Sequence, residues 1–152
     1  MLTLLVAALL QFPQPIRPEP SITPGATRPH VTRDSVCRPR AATDARHVLP
    51  SVRRAVLQAY HIPARVADRY ELDHLISLEL GGSNDARNLW PETYSGQWNA
   101  HRKDALENRL HHLVCAGRLP LGVAQGAIRA DWIAAYRRYA AGRLTHLDRS
   151  RR

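Results

Sequence analysis

The chain has 152 residues, 44% of them hydrophobic, which suits one compact domain with tails and excludes two full domains. Lys and Arg number 22 against 13 Asp and Glu, a formal charge of +9, so a polyanion is the first partner to consider. Lys103 is the single lysine, and the arginine fork that supplies the remaining basic charge suits phosphate better than a point charge does.

Residues 1–12 open with an apolar run from Met1 to Leu10. It is too short to span a bilayer stably and about the length of a signal-peptide core. No basic residue precedes it and no clean small-x-small cleavage site follows. It therefore reads as an export leader, leading to the periplasm or beyond, with a frayed start on a cytoplasmic protein as the competing reading. Residues 13–45 are rich in Pro and Arg and form an extended linker or a surface-wrapping arm.

The region 46–141 carries the periodic segments. A helix is expected from Ser51 as N-cap through Val52, Ala55, Val56 and Ala59, ending before Pro63, with Arg53 and Arg54 facing solvent or phosphate. A strand fits Tyr70 to Ile76 and a wide turn fits Gly81 to Asp85. A second short strand at Asn88–Trp90 is held to an edge by Pro91. A strong helix runs from Gln97 to Ala116, with Leu106, Leu110, Leu113 and Val114 as its stripe and Gly117 as its stop. Two more follow at Leu121–Arg129 and Asp131–Ala141, the latter capped by Asp131. Residues 142–152 form a basic tail.

Cys37 and Cys115 are the only cysteines, too few and too distant for a zinc site of the CxxC kind. Bridged, they would close a long loop worth roughly 4.5 kcal/mol in the chain-entropy model; two buried thiols are the competing reading.

Phosphodiester hydrolysis needs an activated water, charge neutralisation at phosphorus and help for the leaving oxygen, which a divalent cation and a neighbouring histidine can supply. Asp73 and His74 are adjacent on the expected strand, so their side chains leave on opposite faces. One can hold metal while the other addresses the water. Mg²⁺ needs few protein oxygens and keeps several waters.

The run Tyr70-Glu-Leu-Asp73-His74-Leu-Ile, then Leu78-Glu-Leu-Gly-Gly82, then Asn88-Leu-Trp-Pro-Glu92 resembles the HNH endonuclease family, especially small bacterial and phage proteins reading Asp-His-Leu-Ile-Pro-Leu-Glu-Leu-Gly-Gly and Asn-Leu-Trp-Pro-Glu. The likeness continues through Lys103-Asp104, Leu106-Glu107 and Val114-Cys-Ala-Gly117 to Asp131-Trp132. It implies an α+β fold whose core is a β-hairpin plus helix around one metal (ββα-metal type), surrounded by additional helices. The implied activity is metal-dependent cleavage of DNA, and the implied partner is nucleic acid, double-stranded DNA held by its phosphates. His74 would be the general base, Asp73 the first metal ligand and Asn88 the residue that ties the loop to the hairpin.

The third site residue stays open. Asn99 shares the inward stripe with Lys103 and Leu106 if the helix is regular from Gln97, whereas His101 lies about 200° away. If the helix starts nearer His101, the imidazole could turn into the site, and it would suit Mn²⁺, Zn²⁺ or Ni²⁺ better than Mg²⁺. Lys103 is either a phosphate contact or a snorkelling helix lysine. Glu71 shares a face with Asp73, to assist the metal or form a salt bridge. Ser77 stands where relatives have proline. Trp90, Trp98 and Trp132 are expected as core anchors. A DNA-binding module that keeps the fold without the chemistry is the rival reading.

Overall fold

The computed structural model describes residues 17–39, 41 and 47–141. The expected leader at 1–12 and tail at 142–152 lie outside the described residues. Chain order is α1 (Arg33–Val36), α2 (Pro50–Ala59), β1 (Tyr70–His74), β2 (Leu89–Thr93), α3 (Ala100–Cys115) and α4 (Leu121–Tyr139). This is a mixed α+β arrangement with one two-stranded antiparallel sheet.

The hairpin pairs Tyr70 with Thr93, Leu72 with Pro91 and His74 with Leu89. Proline is tolerated inside β2 because each strand of a two-stranded sheet has a free edge. Glu71, Asp73, Trp90 and Glu92 share one face, and the alternate residues share the other.

Two apolar clusters flank the hairpin. One joins Ile76 and Leu80 to Leu106, Leu110 and Val114 of α3 and to Ile128, Trp132 and Tyr136 of α4. The second joins Val56, Leu57 and Tyr60 to Val66, Tyr70, Leu75, Leu89 and Trp90. Leu75 and Ile76 are neighbours in sequence and enter different clusters, so the chain leaving β1 is clamped between them. Trp90 and Trp132 are buried as expected, while Trp98 only packs against the first cluster.

Several boundaries differ from the sequence expectation. Helix α2 starts at Pro50, one residue before Ser51, because proline at the first helical position needs no N–H partner. Ala55 and Ala59 are exposed; Val56 and Leu57 form the buried side. Helix α3 begins at Ala100 rather than Gln97, since Asn99 is extended and caps it. In α4, Asp131 has non-helical angles (φ −164°, ψ 100°) and accepts from the N–H groups of Ile133 and Ala134. It divides two helical segments and caps the second, as its sequence position predicts. No helix among the described residues is long and apolar enough to cross a membrane.

The arm wraps rather than trails. Thr23 is buried and donates its hydroxyl to the Leu89 carbonyl at 2.8 Å, Gly25 N–H bonds Arg87 O, and Arg28 N–H bonds Gly81 O. Short helix α1 then brings Cys37 to Cys115, and the two form a disulfide with Cα atoms 5.6 Å apart. Beside it, Arg33 donates to the carbonyls of Val114 and Cys115, placing a cation at the negative end of α3. Reducing this bridge is expected to cost about 2–4 kcal/mol and to lower the melting temperature by roughly 5–15 °C. Scanning calorimetry with and without a dithiol checks this, and an unchanged midpoint would mean the arm's other contacts suffice.

Candidate active site

The loop joining β1 to β2 is shaped by one side chain. Asn88, fully buried, accepts from Ile76 N–H at 2.9 Å and donates to the carbonyls of Ile76 and Ser83, each at 2.9 Å. Its carboxamide works as a surrogate peptide that ties both ends of the loop together. The backbone must come very close at Gly82, where a Cβ would lie 1.7 Å from Ile76 O. Only glycine fits there.

With the loop pinned, β1 delivers Asp73 and His74 to the rim of a cleft of about 720 Å³, lined also by Glu71, Glu79, Asp104 and Glu107. His74 Nε2 lies 2.8 Å from Asn84 Oδ1. Asn84 donates its Nδ2 to His47 O at 2.9 Å, which fixes the amide so that its oxygen faces the ring. The Nε2–H form of the His74 ring suits that contact.

Behind Asp73 is a buried charge network. The Lys103 ammonium, 1% exposed, donates to Asp73 Oδ2 at 2.5 Å and to His74 O at 2.6 Å, and also pairs with Glu107. The expected phosphate contact for Lys103 does not describe this arrangement. Its three donors are spent inside, where they hold the backbone and carboxylate of the Asp73–His74 pair. Although burial alone would lower the lysine, the charges of Asp73, Glu107 and Glu92 raise it well above its ordinary value. Burial would raise Asp73, but Lys103 outweighs it and holds the carboxyl below its usual range.

Glu92 completes the network. It is fully buried, and neither carboxyl oxygen receives a donor. Burial, reinforced by the Asp73 charge, pushes it up to about 10. As a neutral acid it can donate its own proton to Asp73, which resolves the apparent lack of a partner. Glu107 is raised to about 8 by burial, against the pull of Lys103.

The two expected candidates for the third position separate clearly. Asn99 accepts from Arg102 N–H and donates to Gly96 O, so both ends of its amide serve the α3 cap. His101 is exposed in the first turn of α3, with its ring 6.4 Å from Tyr94. It sits close enough to Glu71 for its charge to ease that carboxyl, which is raised first by burial and then by Asp73 and Asp104. Among the described residues, Glu71 makes no salt bridge.

Residues not foreseen from sequence are Glu92, Glu107 and Asn84. Glu107 had a signal, four residues after Lys103 on one helix face. Glu92 and Asn84 had none, because their partners come from elsewhere in the chain.

Ser77 has φ −60°, the value proline prefers, and its buried hydroxyl makes no hydrogen bond. Ser77→Pro is expected to stabilise by about 0.4–1 kcal/mol, measured by urea unfolding; a loss of stability would mean that the preceding residue cannot accommodate the ring.

Among the described residues, the trio of His, Cys and carboxylate groups with ligand atoms within 4.8 Å of one another is Cys37, His111 and Cys115, and its cysteines are bridged. Comparison with protein-family models, with curated proteins and with solved structures returns no match. The site is therefore read from its own residues.

Proposed function

We propose that this chain is a metal-dependent endonuclease of the HNH type, acting on the phosphodiester backbone of DNA. The observation that carries the reading is the Asp73–His74 pair at the end of β1. It opens into one acid-lined cleft, beside a loop clamped by Asn88 and ahead of helix α3. The order strand, pinned loop, strand, helix suits a ββα-metal core.

The donor set fits a hard divalent cation. Carboxylates from Glu71, Asp73 and Asp104 repel one another in the cleft, which a cation relieves, and no three of them converge as a closed cage. Mg²⁺ accepts that arrangement, since it takes one or two carboxylates and keeps water for the rest. Asp73 would hold it, with His101 as the α3 side chain available to join, because Asn99 is committed to the cap. Bound there, the ion would neutralise developing charge on the phosphate and the leaving oxygen.

The protein's own part is positioning. Asn84 orients the imidazole so that Nδ1 can take a proton from the attacking water. Lys103 and Glu92 hold the Asp73 carboxylate ionised and in place. The disulfide matches an oxidising compartment, consistent with export of the chain.

Purified protein is expected to nick or cut plasmid with Mg²⁺ or Mn²⁺ and to stop in EDTA, with cutting restored by excess metal. Cutting that persists in EDTA, or none with any divalent ion, would sink the proposal. A second reading, a DNA-binding module without chemistry, draws on the Lys103 ammonium already seated on Asp73. Calorimetric titration with Mn²⁺ separates the two: an enzyme shows affinity lost in Asp73→Asn, a silent module shows none.

A further inference from the structure

Among the described residues the cleft is lined by five carboxylates, Glu71, Asp73, Glu79, Asp104 and Glu107, with Arg53 as the arginine among them. On a chain of charge +9 its own lining is a poor attractor of phosphate, so attraction for a nucleic-acid backbone must come from other parts of the surface.

One surface, between the start of α3 and the end of α4, is built for that. Arg102, in the first turn of α3, lies directly after His101 and before Lys103. Its guanidinium carbon stands 5.5 Å from the Trp98 ring centroid and 5.6 Å from that of Tyr136. Arg137, in the last turn of α4, stands 5.1 Å from the same Trp98 ring. Trp98 is itself held by edge contacts with Trp132 and Tyr136, at 5.8 and 5.7 Å. Among the described residues, neither arginine has a carboxylate partner; the ion pairs there involve Arg17, Arg87 and Lys103.

Stacking uses the face of a guanidinium and leaves its in-plane N–H groups for an anion. A ring that is already immobilised also reduces the ordering cost of holding two long side chains in one orientation. Arginines that merely cover a solvated surface need no such platform.

We infer that Arg102 and Arg137, held over the Trp98 ring, form a phosphate clamp that binds the backbone of duplex DNA. This rests on the nuclease reading for the identity of the substrate, but it concerns binding and not chemistry.

The test is duplex binding in EDTA, followed by fluorescence anisotropy across a series of salt concentrations, so that no cleavage intervenes. Removing two phosphate contacts in R102Q/R137Q is expected to reduce the slope of log K against log salt by about 1.8. R102K/R137K, which keeps the charges, should retain the slope. Removing two exposed arginines elsewhere, R69Q/R118Q, should leave it unchanged. An unaltered slope in R102Q/R137Q, an equal fall in R69Q/R118Q, or no duplex binding by the unmodified protein would overturn the clamp. Equally tight, equally Arg102-dependent binding of polyglutamate would overturn its assignment to nucleic acid. Intact binding with no cutting in Mg²⁺ would instead count against the nuclease reading alone.

Discussion

His74→Ala is expected to reduce metal-dependent plasmid cleavage by about 10²–10⁴-fold while leaving the fold intact. The direction follows from the placement of the imidazole. Its Nε2 is directed at Asn84 Oδ1, whose own orientation is set by His47 O, so the ring is held at the rim of the cleft in the orientation that the proposed base needs. Among the described residues no other histidine lines the cleft, so none of them is placed to replace it. The backbone carbonyl of His74, not its ring, carries the contact to Lys103. Truncating the ring should therefore spare the buried network. Initial rates from supercoiled plasmid and a thermal melt by circular dichroism check the two halves of this result. Equal cutting by the variant would remove His74 from the mechanism. A collapsed melt would mean that the ring has a structural duty as well, in which case His74→Gln, with an amide in place of the imidazole, becomes the informative comparison.

Lys103→Met should be the most damaging single change to stability in the site, by about 3–5 kcal/mol. The methionine fills much the same space, so packing is not the issue. What is lost is the ammonium that faces three carboxyl groups, Asp73 and Glu107 on the cleft wall and the buried Glu92. Asp73 would then keep an uncompensated charge or take up a proton, and in either case the His74 carbonyl loses its donor. For a chain of this size the melting temperature should fall by about 10 °C. Adding Asp73→Asn and Glu107→Gln to Lys103→Met removes the stranded charge and should recover much of the loss, although cleavage would stay absent. If the single variant melts with the unmodified protein, the network contributes little net stability and Lys103 acts elsewhere.

These two residues differ in how far sequence could take them. The placement of His74 was legible, since an imidazole beside a carboxylate at the end of a strand follows from alternation along β1. Lys103 was not. Its spacing on α3 is compatible with a phosphate contact or with a solvent-reaching stem, and the choice depends on how close α3 packs to β1. Burial at 1% makes it an internal counter-ion. The same holds for the third site position. Whether Asn99 or His101 was presented turned on the start of α3, and the Asn99 side chain set that start by capping the helix itself. Cap and ligand are alternative uses of one carboxamide.

The sequence alone determined the elements whose physics is local. The apolar stripe of α3, its stop at Gly117, the Asp131 break in α4, and the hairpin around a Gly-Gly turn all follow from periodicity, capping and backbone freedom within a few residues. Tertiary structure decided whatever joins distant segments. The arm docks on the β1–β2 loop because Thr23, Gly25 and Arg28 find backbone partners there. The bridge from Cys37 to Cys115 forms because α1 lies across the end of α3. The Glu92 carboxyl is pushed upward because the second strand buries it against Asp73. A side chain's charge and role depend on what is packed against it, and for these residues that neighbour lies tens of positions away.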